Sequence, residues 1–563
     1  MRGPLTAVIL LAGVAPAAFG QPATIADPPA VRTIREIVTS ARHPDLKWPA
    51  FPYYRDEMQG LYEPRAYVPL WLAEGKPIKQ ARDVLDVLAD SARRGLDPEE
   101  YDVTWLEARW RELQSRGAPA EEDLGRFDAG LTLALLRQIS DVHIGRITPS
   151  RVQIGLDPAP KKYDLVALVR QAVEQDRIRA TVEEAEPQLA VYRRIKEALA
   201  FYRGLAGAEL PEVPATATVR PGDAFAGLPA LRARLTAFGD LQAAAAAGDA
   251  AEEPASVYEG SVYEGETVDA VRRFQERHGL AADGVLGKAT LAALAVPPAK
   301  RLRQIEIALE RLRWVPDLGD GPLIAVNIPA FQLWAFDSLG TTPSPALTMR
   351  VVVGKSFDSR TPVFLETMEY VVFRPYWNVP PSIVRGELLP ALRRDPDALA
   401  KRDMEIVRGS GDATALAPTP DNVAQLAKGA LKVRQRPGPR NALGLAKFIF
   451  PNTDNVYLHG TPAQSAFARV RRDLSHGCVR LEDPAAIARF VLQDQSAWTP
   501  ERIRAAMAGE KPQQVNLQRK IPVLLFYSTA LVDLDGRVLF YEDIYGHDAR
   551  LERELASAYS NQP

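Results

Sequence analysis

The 563-residue sequence contains a single cysteine, Cys478. A lone thiol cannot form a disulfide within the chain, and it has no cysteine partner for a zinc or iron–sulfur site. The two remaining roles are a buried apolar side chain and a nucleophile. Two histidines, a glycine and an arginine lie close to Cys478 in the sequence, and this composite pattern favours the role of a nucleophile.

The sequence also lacks a strong charge of either sign and, beyond its N-terminus, any long apolar run. Lys and Arg number 69 and Asp and Glu number 71, which gives a formal net charge of −2. A nucleic-acid-binding protein would carry a basic face or domain, so this class is not expected. No segment after the N-terminus is apolar over the ~20 residues that a bilayer span needs.

The N-terminus is typical of a secretory signal peptide over residues 1–20. An apolar run extends from Leu5 to Phe19, and residues 18–20 (Ala-Phe-Gly) form a small-x-small cleavage site. The alternative is an uncleaved anchor helix, but the run is short for a span and contains Pro16. We therefore expect an exported chain that does not span the membrane after cleavage.

The residues around the cysteine suggest nucleophilic catalysis. Residues 475–480 read Ser-His-Gly-Cys-Val-Arg, and His459 lies 19 positions before Cys478. Attack on an amide needs the thiolate, and a nearby histidine can remove the thiol proton and return it to the leaving amine. His459 and His476 are both available for this role. His476 is only two residues from Cys478, and two such side chains in a turn can point apart, so His459 is the stronger candidate.

The oxyanion of a tetrahedral intermediate needs hydrogen-bond donors. Gly477 allows a close approach of the backbone, so the N–H groups of Gly477 and Cys478 are candidates. Tyr457 shares a strand face with His459 and could add a hydroxyl donor, with packing as an equal alternative. Arg480 alternates with Cys478 in an extended chain, where it could bind a substrate carboxylate or anchor the loop through carbonyl contacts.

This motif resembles the active-site signature of the L,D-transpeptidases in residue types, order and spacing. The resemblance implies that His459 is the base, that the carbonyl of Gly460 orients it, and that His476 shapes the loop or stabilises the intermediate. A Phe-Arg-Pro-Tyr-Trp-Asn-Val-Pro segment resembles the groove of these enzymes. It puts Trp377 and Asn378 at the substrate site, although tryptophan beside proline is often a core residue. No metal or cofactor is implied.

The rest of the chain resembles the large, multi-domain branch of this family. Residues 25–210 show helical periodicity and resemble its helical scaffold domain. Residues 220–296 resemble the three-helix peptidoglycan-binding module through a Phe-Gln…Gly-Leu…Asp-Gly…Gly…Thr series, which an alanine-rich insertion interrupts. This module could bind glycan or peptide, or it could serve only as a spacer.

The composition turns to strand in the C-terminal half, and the predicted fold class is therefore multi-domain α+β. Residues 321–500 are expected to form a mixed-β catalytic domain, sandwich or barrel-like. A charged, loop-rich insertion at 382–446 is expected to cap the site. Residues 515–563 carry a hairpin signal and are expected to form a C-terminal extension. The end of the cap holds three arginines that could grip a carboxylate-rich peptide or form a solvated loop, namely Arg434, Arg436 and Arg440.

The resemblance implies a reaction on peptidoglycan stem peptides in the periplasm. Cys478 would attack the carbonyl of the third stem residue, expel the terminal D-alanine and pass the acyl group to a side-chain amine of another stem, giving a 3→3 cross-link. Water as acceptor would make an L,D-carboxypeptidase, and a lipoprotein lysine would make a wall-attachment enzyme; the sequence does not separate these acceptors. Carbapenem sensitivity is also implied. The alternative outside enzymes is a wall-binding protein with an inactive domain, which the intact motif argues against.

Overall fold

The computed structural model confirms the predicted multi-domain α+β class, with a helical scaffold, a small helical module and a β-rich domain in that order. None of its described helices is both long enough and apolar enough to cross a bilayer. The predicted signal peptide and the alanine-rich insertion lie outside the described residues. Those residues are 27–115, 120–156, 163–214, 217–242, 262–340, 343–356, 359–409 and 413–558.

In the described part of the scaffold, the first seven helices pack around one apolar core, whereas the buried residues of the eighth belong to the core that it shares with the module and the β-rich domain. The elements of the scaffold are α1 (Pro29–Ser40), α2 (Arg55–Tyr62), β1 (Leu72–Ala73), β2 (Lys76–Pro77), α3 (Lys79–Ala89), α4 (Val103–Gln114), α5 (Glu121–Ile144), α6 (Leu165–Glu174), α7 (Ile178–Ala185) and α8 (Ala190–Leu205). Helix α5 is the central one, because apolar residues occupy most faces of its turns and nearly all of them are buried. Its Asp128 accepts hydrogen bonds from the N–H groups of Leu70 (2.9 Å) and Trp71 (2.7 Å), which fixes the loop after α2.

The module contains three helices within its described residues, and one glutamine explains its sequence pattern. They are α9 (Leu228–Ala237), α10 (Glu266–Arg277) and α11 (Lys288–Ala295). The side-chain nitrogen of Gln275 lies 3.0–3.1 Å from acceptors on Asp283, Val285 and Thr290. Its side-chain oxygen accepts the N–H of Gly284 at 2.8 Å. The Gln, Asp-Gly and Thr positions of the series therefore meet at one buried polar centre.

Aromatic contacts hold the module against the scaffold and the C-terminal region. His278 stacks on Phe274 with 3.8 Å between ring centroids, and on Phe540 at 5.6 Å. Tyr202 of α8 meets the ring of Phe540 edge-on at 5.3 Å. Such contacts bury large apolar surfaces in defined geometries. The three parts of the chain are thus packed together at one aromatic cluster.

Helix α12 (Pro298–Arg313) joins the scaffold to the β-rich domain. Its Glu310 is fully buried and accepts hydrogen bonds from the N–H groups of Arg146 (2.5 Å) and Ile147 (3.3 Å). Arg313 pairs with Glu310 at 3.0 Å and donates to the carbonyl of Arg94. Because a buried carboxylate is costly without such partners, this network holds α12 against the end of α5.

The β-rich domain begins after α12. Its elements are β3 (Leu323–Asn327), β4 (Gln332–Phe336), β5 (Leu347–Gly354), β6 (Phe364–Phe373), β7 (Trp377–Asn378), α13 (Pro381–Ile383), α14 (Leu389–Arg394), β8 (Met404–Val407), α15 (Pro420–Ala427), β9 (Lys432–Gln435), β10 (Ala446–Ile449), β11 (Leu458–His459), β12 (Asp473–Ser475), β13 (Val479–Leu481), α16 (Pro484–Val491), α17 (Pro500–Ala508), β14 (Gln513–Phe526), β15 (Ala530–Val532), β16 (Val538–Phe540) and α18 (His547–Leu555).

The main sheet closes on itself, so of the two expected forms the domain is barrel-like. Its strand order is β12-β5-β13-β11-β10-β6-β14-β3-β4, and β4 also pairs with β5. Strands β11 and β13 run parallel, whereas β10 and β11 run antiparallel. The functional motif therefore lies on neighbouring strands of a closed mixed sheet.

The insertion forms a small unit with its own apolar core. Strands β7, β9 and β8 pair into a separate three-stranded sheet. This pairing begins at Trp377, before the predicted start at 382, and strand β10 at the predicted end already belongs to the main sheet. Arg440, beyond the last strand of this small sheet, still pairs with Asp403, so we call residues 377–440 the cap.

The segment that the sequence placed in a C-terminal extension is only partly peripheral. Strand β14 pairs with β6 and, in parallel, with β3, so it is an inner strand of the main sheet. The β-rich domain therefore extends past residue 500. Strands β15 and β16 form the antiparallel hairpin that the sequence pattern indicates.

Candidate active site

Strand register brings the candidate residues onto one face of the main sheet. His459 pairs with Arg480 across the parallel strands β11 and β13, and with Lys447 across the antiparallel strands β10 and β11. Directly paired residues point to the same face, as do residues two positions apart. Tyr457 and Cys478 precede His459 and Arg480 by two positions, so they share that face. We call these five residues the catalytic face.

His459 is held in the form that a general base requires. Its side chain is buried, and Nδ1 lies 2.5 Å from the carbonyl oxygen of Gly460. A carbonyl can only accept, so Nδ1 carries the proton and Nε2 is left with its lone pair. Burial lowers the pKa of His459 to about 3, against the opposing effect of this hydrogen bond. The imidazole is therefore neutral at neutral pH.

Cys478 is a half-buried thiol in a polar and positively charged setting. Burial raises its pKa, while the backbone N–H and the hydroxyl of Tyr457, together with the charges of Lys447 and Arg480, act to lower it. Its Sγ also lies 3.9 Å from the carbonyl oxygen of Asn455. The thiol is consequently protonated at rest, and the groups that would stabilise its thiolate are already in place.

The loop before the cysteine is tightened by Ser475. Its hydroxyl donates to the carbonyl of Cys478 at 2.6 Å and accepts the N–H of Gly477 at 3.2 Å. Gly477 has a φ of 111°, a backbone conformation that residues other than glycine rarely adopt. The N–H of Gly477, a predicted oxyanion donor, is thus engaged within the loop. Among the described residues, the N–H of Cys478 has no such partner and remains the backbone candidate.

Two residues that the sequence motif does not indicate, Thr361 and Tyr545, hold this loop in place. The hydroxyl of Thr361 donates to the carbonyl of Gly477 at 2.8 Å and accepts the N–H of Gly354 at 2.9 Å. The hydroxyl of Tyr545 donates to the carbonyl of Gly354 at 2.6 Å and accepts the N–H of Thr361 at 3.1 Å. This buried chain of hydrogen bonds ties the loop to β5 and to the C-terminal region.

Lys447, like Thr361 and Tyr545, lies outside the sequence motif, which therefore does not indicate it. It is half-buried in β10, and its Nζ lies 4.1 Å from the ring centroid of Tyr457. Burial lowers its pKa, which the nearby Cys478 opposes. The alternation of strand β10 would have indicated its face, but only the pairing with β11 shows that it meets His459.

His476 contacts the cap. Its side chain is exposed, and Nε2 lies 3.2 Å from a carboxylate oxygen of Glu387 in the cap. Such an exposed contact is worth little energy by itself. It shows, however, that the cap reaches the catalytic loop.

Trp377 and Asn378 lie in β7, the first strand of the cap. Asn378 is exposed, and Trp377 packs against the apolar core of the cap. In the described part of the chain, no hydrogen bond or ring contact joins either residue to the catalytic face. The three cap arginines are engaged in ion pairs within the cap, Arg434 with Glu405 and both Arg436 and Arg440 with Asp403.

No group of three or more His, Cys, Asp or Glu side chains in the described residues is arranged to hold a metal ion. The chemistry available at the catalytic face is that of a thiol, a neutral imidazole, a phenol and two cations. This set suits acyl transfer through a thioester.

Residues 321–505 match the family model of the L,D-transpeptidase catalytic domain. The chain carries an L,D-transpeptidase catalytic domain. Residues 56–199 match a scaffold domain, and residues 228–294 match a model described as "Putative peptidoglycan binding domain". The family resemblance that the sequence motif indicates is thereby confirmed.

One relative adds to these matches. The "Putative L,D-transpeptidase" of Haemophilus influenzae is 32% identical over 281 residues. The aligned region covers 48% of this chain and 54% of that protein, so the chain spans about half the length of the curated relative that it matches.

Proposed function

We propose that this protein is an L,D-transpeptidase that forms 3→3 cross-links in peptidoglycan through a thioester on Cys478. The observation that carries the proposal is the shared sheet face on which Cys478 lies beside a neutral, hydrogen-bonded His459. The match to the catalytic domain supports the reaction class, and the match to the peptidoglycan-binding domain supports the substrate.

Acylation would begin when Sγ of Cys478 attacks the carbonyl carbon of the third stem residue. The thiol proton moves to Nε2 of His459, the sulfur–carbon bond forms, and the bond to the nitrogen of D-alanine breaks. The imidazolium returns its proton to that nitrogen, so D-alanine leaves as a neutral amine. The N–H of Cys478 and the hydroxyl of Tyr457 are the candidate donors to the oxyanion.

Deacylation would use a side-chain amine from a second stem. The amine nitrogen attacks the thioester carbonyl carbon and loses a proton to Nε2 of His459. The carbon–sulfur bond breaks, and the imidazolium returns the proton to the sulfur, which leaves an amide cross-link and the free thiol. The contact between Glu387 and His476 supports a cap that limits the access of water, and this favours the amine. With water the same intermediate would give an L,D-carboxypeptidase, and with a lipoprotein lysine it would give wall attachment.

The cellular setting belongs to the same proposal. Residues 1–20 have the pattern of a signal peptide, and cross-linking of the wall takes place outside the cytoplasmic membrane, so we place the mature chain in the periplasm. The module would hold glycan or peptide near the catalytic domain, against which it is packed. The thiol should also be acylated by a carbapenem; an unchanged intact mass after long incubation would contradict this extension.

Product analysis tests the proposed function. The mature protein is incubated with a disaccharide-tetrapeptide, and the products are read by mass spectrometry. A dimer lacking one D-alanine supports L,D-transpeptidation. A tripeptide monomer alone would replace the proposal with carboxypeptidase activity, and adding a lipoprotein-derived lysine peptide would then reveal a different acceptor.

A further inference from the structure

In the described part of the chain, two cations on the catalytic face have no counter-ion. Lys447 and Arg480 pair with His459 from its two neighbouring strands. Among the described residues, neither side chain forms an ion pair or a hydrogen bond, and no carboxylate acts on the pKa of either. The cap arginines differ, because all three pair with Glu405 or Asp403.

The cost of these two charges points to an anionic ligand. Both residues are half-buried, and burial lowers the pKa of each, with Cys478 as the opposing group. The thiol is neutral at rest, so it does not balance two positive charges. A half-buried cation without a counter-ion carries an uncompensated desolvation penalty, and a bound anion would remove that penalty.

We propose that Lys447 and Arg480 form a subsite for the carboxylate that ends the donor peptide. This inference rests on the proposed function, which makes D-alanine the leaving group. One nitrogen and one α-carbon separate that carboxylate from the scissile carbonyl, so it lies within roughly 4 Å of the carbon under attack. Arg480 lies two residues after Cys478 on the same sheet face, and Lys447 contacts the ring of Tyr457 on that face, so both cations lie near the attacking thiol.

The two side chains suit this task in different ways. The guanidinium of Arg480 can hold a carboxylate with two parallel hydrogen bonds, and the ammonium of Lys447 acts as a point charge. The ring of Tyr457 lies 4.1 Å from the ammonium and limits where it can point. A donor that is one residue longer would carry its carboxylate about 3.5 Å further away. The subsite therefore selects donors by the distance between scissile carbonyl and terminal carboxylate.

The test compares two donors in two enzymes. One donor is the disaccharide-tetrapeptide with a free terminal carboxylate, and the other is its terminal carboxamide. We expect the wild type to prefer the acid by roughly 10-fold or more in kcat/KM, as a charge-assisted contact allows. Lys447→Met should lose most of this preference, and Lys447→Arg should keep part of it. Lys520→Met is the matched control, because Lys520 is exposed and pairs with Glu369 away from the motif.

Other outcomes would refute either the carboxylate subsite or the proposed function. If Lys447→Met slows acid and amide equally while its thermal unfolding is unchanged, Lys447 acts on the thiolate and the subsite is wrong. A preference that depends on an internal stem carboxylate, seen with a donor amidated there, would also refute the terminal subsite. If the wild type turns over neither donor, the proposed function fails. Calorimetric binding of acid and amide to Cys478→Ala then tests the subsite alone, and equal affinities would refute it.

Discussion

The hydroxyl of Thr361 donates a hydrogen bond to the carbonyl oxygen of Gly477 over 2.8 Å. Gly477 directly precedes the nucleophile and has a φ of 111°, so its orientation sets the direction of the Cys478 side chain and N–H. The same hydroxyl accepts the N–H of Gly354, and Tyr545 closes the network from the C-terminal region. The loop is thus positioned by residues outside the catalytic face.

Replacing Thr361 with Val should damage turnover more than binding. The substitution keeps the shape but leaves the N–H of Gly354 and the carbonyl of Gly477 without their partner, at a cost of about 1–3 kcal/mol in the free energy of unfolding. A misplaced nucleophile should lower kcat by roughly 10- to 100-fold with little change in KM. Thr361→Ser, which retains the hydroxyl, should restore most of kcat. A loss of stability with unchanged kcat would show a purely structural role.

The two histidines of the motif should differ strongly in their effect. His459→Ala removes the base, and we expect kcat/KM to fall by roughly 100-fold or more. His476→Ala removes only an exposed contact to Glu387, which is worth about 1 kcal/mol at most, so the loss should stay below about 10-fold. The measurement is steady-state release of D-alanine by both variants. Equal losses would mean that His459 is not the base.

The thiol should titrate above its ordinary range. Burial raises the pKa of Cys478, so the protonated form persists at neutral pH and the thiolate appears only as pH rises past about 8.5. The rate of alkylation by the neutral reagent iodoacetamide should therefore keep increasing through that pH. A plateau near neutrality would instead show a resting thiolate–imidazolium pair. Cys478→Ala gives the background rate.

Buried histidines should make the fold sensitive to acid. Burial lowers the pKa of His459 to about 3 and those of His43 and His547 to about 4. Unfolded histidine titrates near ~6.5, so between that pH and about 4 the unfolded chain binds more protons and the free energy of unfolding falls as pH is lowered. Asp128 acts in the opposite direction, because burial raises its pKa to about 6.

Comparing the free energies of unfolding of wild type and His43→Gln isolates the contribution of His43 to the pH dependence of stability. The glutamine can replace the hydrogen bond to the carbonyl of Arg126 but cannot titrate. Urea unfolding from about pH 7.5 to about pH 4.5 should show a smaller loss of stability in the variant. Parallel curves would contradict the assigned pKa of His43.

The catalytic motif could be predicted because its information is local. Tyr457 and His459 share a face by strand alternation, and Cys478 and Arg480 do so on the next strand, so only the pairing of two strands had to be inferred. Lys447 could not be predicted in this way, because its position opposite His459 depends on the order of strands across the sheet. The same holds for β14, whose pairing with β3 joins distant parts of the chain.

Competition between nearby polar groups is a second reason why parts of the site could not be predicted from the sequence. Gly477 was expected to offer its N–H to an oxyanion, but the hydroxyl of Ser475 is two residues away and takes it. The placement of Trp377 and Asn378 at the substrate site rests on resemblance alone and stays a prediction. Their strand pairs within the cap, and nothing in the local pattern distinguishes a cap strand from a main-sheet strand.

The intact mass of the protein after rapid quenching with a tetrapeptide donor and no acceptor shows whether a thioester forms on Cys478. We expect a species heavier by the donor without its terminal D-alanine, with the added mass mapped to Cys478 and absent from Cys478→Ala. Release of D-alanine without any covalent species at the shortest times, or an adduct on another residue, would contradict a thioester on Cys478.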